Sequence, residues 1–282
     1  MTSPAGPLID AATLAGELAG DRPPIVLDVR YTALTGPDRD GYRAGHIPGA
    51  VFVDLDRELA GAVTPGTGRH PLPERAVLQA FARSWGMSSD SAVVVYDDGP
   101  AMAAARAWWL LRWAGHLDVR VLDGGLAAWT AAGGRTSGEP ADPEYGDVVL
   151  TEGQMPVVDV AEVPTAARDG VLLDVRAPER YRGETEPIDP VAGHVPGAVN
   201  APAPGNVGPD ARLHSASALR ERFAALGVRD GADVTAMCGS GVVAAQTVLA
   251  LEIAGVAAGL FVGSWSQWIS DPARPVAVGD PT

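Results

Sequence analysis

The chain has 282 residues, enough for two ordinary domains, and its 46% hydrophobic and 20% charged residues suit a globular protein with a sizeable core. A net charge of −14 argues against nucleic acid or an anionic membrane as partner. All 21 basic residues are arginine, so Schiff-base lysine chemistry is excluded and a Walker-type nucleotide site lacks its lysine.

The N-terminus, "MTSPAGPLIDAATLAGELAG", has neither a basic n-region nor a long apolar core, so no signal peptide is expected and the cytoplasm is the expected location. An apolar run at 25–29 predicts a strand, followed by a loop and "GHIPGAV" (45–51) entering a second strand. "GAVFVDLD" and "RHPLP" come next. A helix over 74–85, a buried strand over 92–96, a helix over 101–114, a strand over 119–122 and a short helix ending at Trp129 complete the first half. "GGRTSGEPADPEYGD" (133–147) is rich in Gly, Pro and charge, and it marks a linker bounded at 134–157.

The second half repeats the first. "LDVR" at 27–30 returns at 173–176, and "GHVPGAV" at 193–199 answers "GHIPGAV". Strands at 171–175, 232–237 and 258–262 and helices at 215–226 and 242–254 fall in the same order, with a short helix ending at Trp268. The most apolar stretch, 241–263, is broken by Gln246, Glu252 and Ala254–Gly255, so a buried helix, a turn and a strand are expected there rather than a membrane span. Two copies of one α/β domain follow (1–133 and 158–282), each a mainly parallel sheet flanked by helices on both faces.

Cys238, the only cysteine, lies in "MCGSGVVAA" where a strand ends and a helix starts. With no partner for an internal disulfide, it fits a reducing compartment. A lone cysteine is most often a small core residue, but a Gly-Ser-Gly setting at a strand-to-helix junction points to chemistry. The N–H groups of Gly239, Ser240, Gly241, Val242 and Val243 have no helical partner and can converge on an anion at the sulfur. A free thiol is only about 3% ionised at pH 7, and such amides favour the reactive thiolate. Aligning the copies through "AG" at 114–115 and 254–255 sets Asp98 opposite Cys238, so one copy keeps a nucleophile and the other has lost it. Rival chemistries lack their residues. No arginine follows at the sixth position after Cys238, Ser240 is not in a Gly-x-Ser-x-Gly elbow, no cluster has zinc spacing, and no G-x-G-x-x-G follows a strand.

These residues resemble the two-domain rhodanese-type sulfurtransferases over nearly the whole chain, through "DVR…GHIPGA", "RAWWLLRWAGH…LDGGLAAW", "DVRAPERYRG…GHVPGAVNAP", "CGSGVVAA" and "GSWSQW". The resemblance implies tandem rhodanese-like domains, an inactive first and a catalytic second. It also implies a persulfide on Cys238 passed from a small-molecule donor to a thiophilic acceptor (cyanide, a small thiol or a thioredoxin-like dithiol protein), with no cofactor and no metal. The Cys-Gly-Ser-Gly loop is similar to that of the mercaptopyruvate branch, which adds a serine–histidine–aspartate relay; the matching residues are Ser240, His70 and Asp56, the last two expected from the first domain. Arg180 matches the arginine that grips the donor's anion, and Arg182 is the second candidate. The region of the branch's second arginine, "ETEPIDPVAGH", has none, which leaves the donor open between 3-mercaptopyruvate and thiosulfate; Arg106 is a further substitute. A non-catalytic persulfide carrier serving a partner protein is the alternative. Asp28, Arg30, Asp174, Arg176, His46 and His194 occur in both copies and are read as structural, as are Trp108, Trp109, Trp129, Trp265 and Trp268, with Trp265 a possible pocket residue.

Overall fold

The computed structural model describes residues 6–280. Two compact units divide the chain: Met1–Gly61 with Pro73–Met155 and Gly208–Leu213, and Ala62–Leu72 with Pro156–Val207 and His214–Thr282.

The first unit runs β1 (Leu8–Ile9), α1 (Ala11–Leu18), β2 (Ile25–Asp28), β3 (Tyr31–Thr32), β4 (Gly36–Pro37), α2 (Arg39–Ala44) and β5 (Val51–Phe52). It continues with α3 (Leu55–Glu58), α4 (Arg75–Ser84), β6 (Val93–Tyr96), α5 (Ala104–Trp113), β7 (Val119–Leu122) and α6 (Gly125–Ala131). Strands β1, β7, β6, β2 and β5 lie side by side in that order, all parallel. Parallel neighbours need crossovers, and helices supplying them cover both faces, which is why β6 is apolar throughout. Val26, Val94, Tyr96 and Leu122 pack with Leu14 of α1 and Trp129 of α6, while α5 packs against β6 and β7.

The second unit runs α7 (Val163–Asp169), β8 (Val171–Asp174), α8 (Pro178–Tyr181), β9 (Val199–Asn200) and α9 (Ala216–Ala225). Then come β10 (Val234–Met237), α10 (Val243–Ile253), β11 (Gly259–Leu260) and α11 (Ser264–Trp268). Its sheet order is β11-β10-β8-β9, again all parallel, and Val157 bridges Leu260 where β1 borders β7 in the first unit. The apolar stretch at 241–263 is α10, a turn at Gly255 and β11; among the described residues no helix is long and apolar enough to cross a membrane.

The sequence repeat is an atomic repeat. Buried Asp28 accepts from Arg30 Nη2 at 2.8 Å and buried Asp174 from Arg176 Nη2 at 2.6 Å, the pairing a carboxylate needs inside a core. The same nitrogens donate to the Gly45 and Gly193 carbonyls, tying each strand end to its "GHxPGA" loop. His46 Nδ1 lies 2.7 Å from the Tyr42 carbonyl and His194 Nδ1 2.8 Å from that of Tyr181, each imidazole stacked on its tyrosine. The five tryptophans read as structural are all buried.

The segment expected to link the domains is not a loose tether. Residues 134–155 group with the first unit, where Ser137 bridges His46, Trp129 Nε1 donates to the Arg135 carbonyl, and Val148 N donates to Met87 O. Residues 62–72, by contrast, group with the second unit. Gln267 Nε2 donates to Gly66 O at 3.0 Å and Arg69 N to Ser266 Oγ at 3.1 Å.

Candidate active site

Strand β10 delivers Cys238 to the carboxyl end of the second sheet, the edge at which open α/β sheets bind ligands. Gly241 then adopts φ 79°, and a Cβ there would run into the Val262 carbonyl, so only glycine makes this turn. Helix α10 follows with no side-chain cap. Its first-turn amides are thus left for the loop: Gly241 N donates to Cys238 Sγ at 3.1 Å, and the N–H groups of Gly239, Ser240, Val242 and Val243 donate to no acceptor among the described residues. Of the five residues expected to form the cradle, Gly241 is the one whose amide meets the sulfur; the other four follow Cys238 in the same turn.

Helix α11 clamps this loop. Trp265 N donates to Cys238 O and Ser266 N to Gly239 O, while Ser264 Oγ accepts from Cys238 N at 3.0 Å and lies 4.0 Å from Sγ. Ser264 holds φ 51°, a conformation that disfavours side chains and persists only where its surroundings enforce it. The thiol itself is 3% exposed.

The first unit shows what the loop is built to hold. Strand register pairs Asp28 with Tyr96 and Asp174 with Met237, so Asp97, not Asp98, stands opposite Cys238. The first loop has seven residues between strand and helix (97–103) against five in the second (238–242), and α5 is one residue shorter than α10, so an alignment anchored on the helix ends slips by one. Asp97 accepts from the amides of Gly99, Ala101, Ala103 and Ala104 at 2.9–3.2 Å. That commitment also explains why α5 starts at Ala104 rather than at the expected residue 101. Burial raises the Asp97 pKa against the lowering effect of these amides. A carboxylate thus fills in one copy the amide nest that sulfur fills in the other.

Charged groups gather around Cys238. Arg176, read from the sequence as purely structural, has its guanidinium 4.5 Å over the Trp265 ring; burial disfavours its charge, yet Asp174, Glu186 and Cys238 together raise its pKa. In the first unit Arg30 Nη1 likewise lies 3.6 Å from Asp98. The hydrogen bonds and ion pairs of Arg176 to Asp174, Gly193 and Glu186 fit the structural role read from the repeat.

His70 Nδ1 lies 2.8 Å from Ser240 Oγ, and both side chains are buried. His70 comes from the first half of the sequence, as expected, but from the segment grouped with the second unit, which corrects its assignment to the first domain. Asp56 sits exposed on α3 of the first unit, near Gly36. Arg106 is buried in α5 and donates to Leu59 O.

Arg180 lies beside Gly239 of the loop, whereas Arg182 pairs with Glu184. The arginine missed from the sequence is Arg69. A Cβ on Gly239 would stand 3.0 Å from Arg69 Nη2, 3.6 Å from Arg180 Nη2 and 3.8 Å from Asp189 Oδ2. Asp189 Oδ1 pairs with Arg69 Nη1 and Oδ2 with Arg180 Nη2, while Glu186 binds Arg180 at 2.6 Å. Arg69 had one faint signal, its position just before the histidine of "RHPLP". A cavity of about 580 Å³ lined by Val158, Glu162, Asp169, Asp233 and Gly259 lies at the opposite ends of the strands and holds no nucleophile.

The Rhodanese-like domain matches residues 10–132 and 159–271. Two relatives carry provisional sulfurtransferase names. SseB of Mycobacterium tuberculosis, named for thiosulfate, is 46% identical over 96% of this chain and 97% of its own length. A Pseudomonas aeruginosa protein, named for 3-mercaptopyruvate, is 47% identical over 97% of this chain and 98% of its own. Among solved structures, the 3-mercaptopyruvate sulfurtransferase SseA from Escherichia coli superposes with a TM-score of 0.82 at 30% identity, covering 93% of this chain and all of that one.

Proposed function

The chain belongs to the rhodanese family and is a sulfurtransferase, and from that premise we propose that Cys238 is its nucleophile and carries the transferred sulfur as a persulfide. The observation that carries this reading is the Gly241 amide donated to Sγ in a turn whose counterpart in the first unit holds the carboxylate of Asp97.

The thiolate attacks the outer sulfur of the donor. With thiosulfate the S–S bond breaks and sulfite leaves with the electron pair. With 3-mercaptopyruvate the C–S bond breaks and the pair stays on carbon as pyruvate enolate, which needs a proton. Ser240, hydrogen-bonded to His70, stands two residues from Cys238 as the proton donor. The loop amides and Arg176 hold the negative persulfide until an acceptor such as cyanide or a thiol attacks its outer sulfur, forming the new bond as the S–S bond to Cys238 breaks. The relay favours 3-mercaptopyruvate as donor, and a reducing compartment such as the cytoplasm suits a lone thiol.

Addition of donor should raise the mass of the chain by about 32 Da, the increment of one persulfide sulfur. Cyanide or a small thiol should remove it with turnover, whereas a pure carrier would discharge only to its partner. Cys238→Ser should show neither gain nor turnover; a loaded Cys238→Ser chain would overturn the assignment. Comparing kcat/KM for the two donors decides between them.

A further inference from the structure

The anion clamp beside the loop already holds an anion. Asp189 lies in the loop Gly183–Gly193, which is two residues longer than its counterpart in the first copy (20 residues from Asp174 to His194 against 18 from Asp28 to His46). Its carboxylate is 3% exposed and gives one oxygen to each guanidinium, Oδ1 to Arg69 and Oδ2 to Arg180. A bidentate bridge between two arginines is the geometry in which a donor's own carboxylate or sulfonate-like end would be held. It stands beside Gly239, the residue after the nucleophile, with Arg69 Nη2 and Arg180 Nη2 facing the space a side chain there would fill. Glu186 takes the remaining side of Arg180, at Nε as well as Nη2, and fixes it in place.

We propose that Arg69 and Arg180 together form the donor-anion clamp and that Asp189 is a built-in competitor, which the donor must displace to bind. This rests on the reading of Cys238 as the sulfur-accepting residue. Arg69 fills the role of the second arginine that the sequence lacks near Arg180. The charged groups facing Asp189 are Arg69, Arg180 and Glu186; burial and Glu186 raise its pKa, against the two arginines, which lower it. Keeping that carboxylate ionised is therefore costly, and a weakly held occupant is one a substrate can replace. Its charge sets a threshold: three arginines (69, 176 and 180) face three carboxylates (174, 186 and 189), so the site is balanced until Asp189 moves aside or is protonated.

The test is steady-state kinetics on the full chain with 3-mercaptopyruvate and thiosulfate, together with calorimetric binding of pyruvate and sulfite to the Cys238→Ser chain. Asp189→Asn keeps the shape and removes the charge; it should lower KM and tighten both leaving groups by about tenfold, the worth of one charge-assisted contact. Arg69→Gln should raise KM by about the same factor, with the larger part of its effect in KM rather than kcat. As pH falls, Asp189 protonates earlier than an ordinary aspartate, so the wild-type KM should fall and the Asp189→Asn profile stay flatter. A carboxylate that merely ties down residues 62–72 predicts the reverse: Asp189→Asn raising KM and lowering the melting temperature would overturn the proposal, as would an unchanged KM. Should wild type gain no sulfur at Cys238, the underlying assignment fails instead; a wild type that loads normally beside an unimproved Asp189→Asn isolates failure of the clamp.

Discussion

Ser240 and Arg176 show how differently two residues near one sulfur declare themselves. Ser240 was legible because it sits inside a motif next to the cysteine, and the structure gives it His70 at 2.8 Å. Arg176 declared itself only through its duplicate Arg30, and the structure gives both the same buried carboxylate partner and the same loop carbonyl. Yet Arg30 also faces a loop anion, the carboxylate of Asp98. If Ser240 and His70 pass a proton to the leaving enolate, Ser240→Ala and His70→Ala should cost about 10²–10⁴-fold in kcat with 3-mercaptopyruvate and far less with thiosulfate, whose sulfite needs no proton. Equal losses on both donors would remove the relay.

At the level of elements, strands and helices fell where hydrophobic runs placed them, because both faces of a parallel sheet are covered and its central strands are buried along their whole length. Loops were harder, since a length difference there leaves no periodic trace. The longer first loop and the shorter α5 together misaligned Asp98 with Cys238 by one residue, and only the register of β2 with β6 and β8 with β10 assigns the place to Asp97. The turn at Gly241 is equally a matter of backbone. Gly241→Ala puts a methyl against the Val262 carbonyl at φ 79°, so it should destabilise the chain by about 1–3 kcal/mol and slow sulfur loading. Urea unfolding and the mass gain on donor addition read the two effects separately; a fully loading, fully stable Gly241→Ala would show that the amide turn is dispensable.

Across the whole molecule, the duplication was plain in "LDVR" and "GHxPGAV", and it predicts matching energetics. Asp28→Ala and Asp174→Ala should each destabilise by about 3–5 kcal/mol, because each strands a buried guanidinium, and chemical denaturation should register both. The division into units was less visible. Residues 62–72 carry no compositional mark of belonging elsewhere; being rich in Pro and Gly, "AVTPGTGRHPL" reads as any loop would. Its grouping with the second unit has a covalent consequence. Any cut between residues 73 and 155 would leave Arg69 and His70 on the other fragment from Cys238, and the half that bears the thiol would part from the imidazole that meets Ser240.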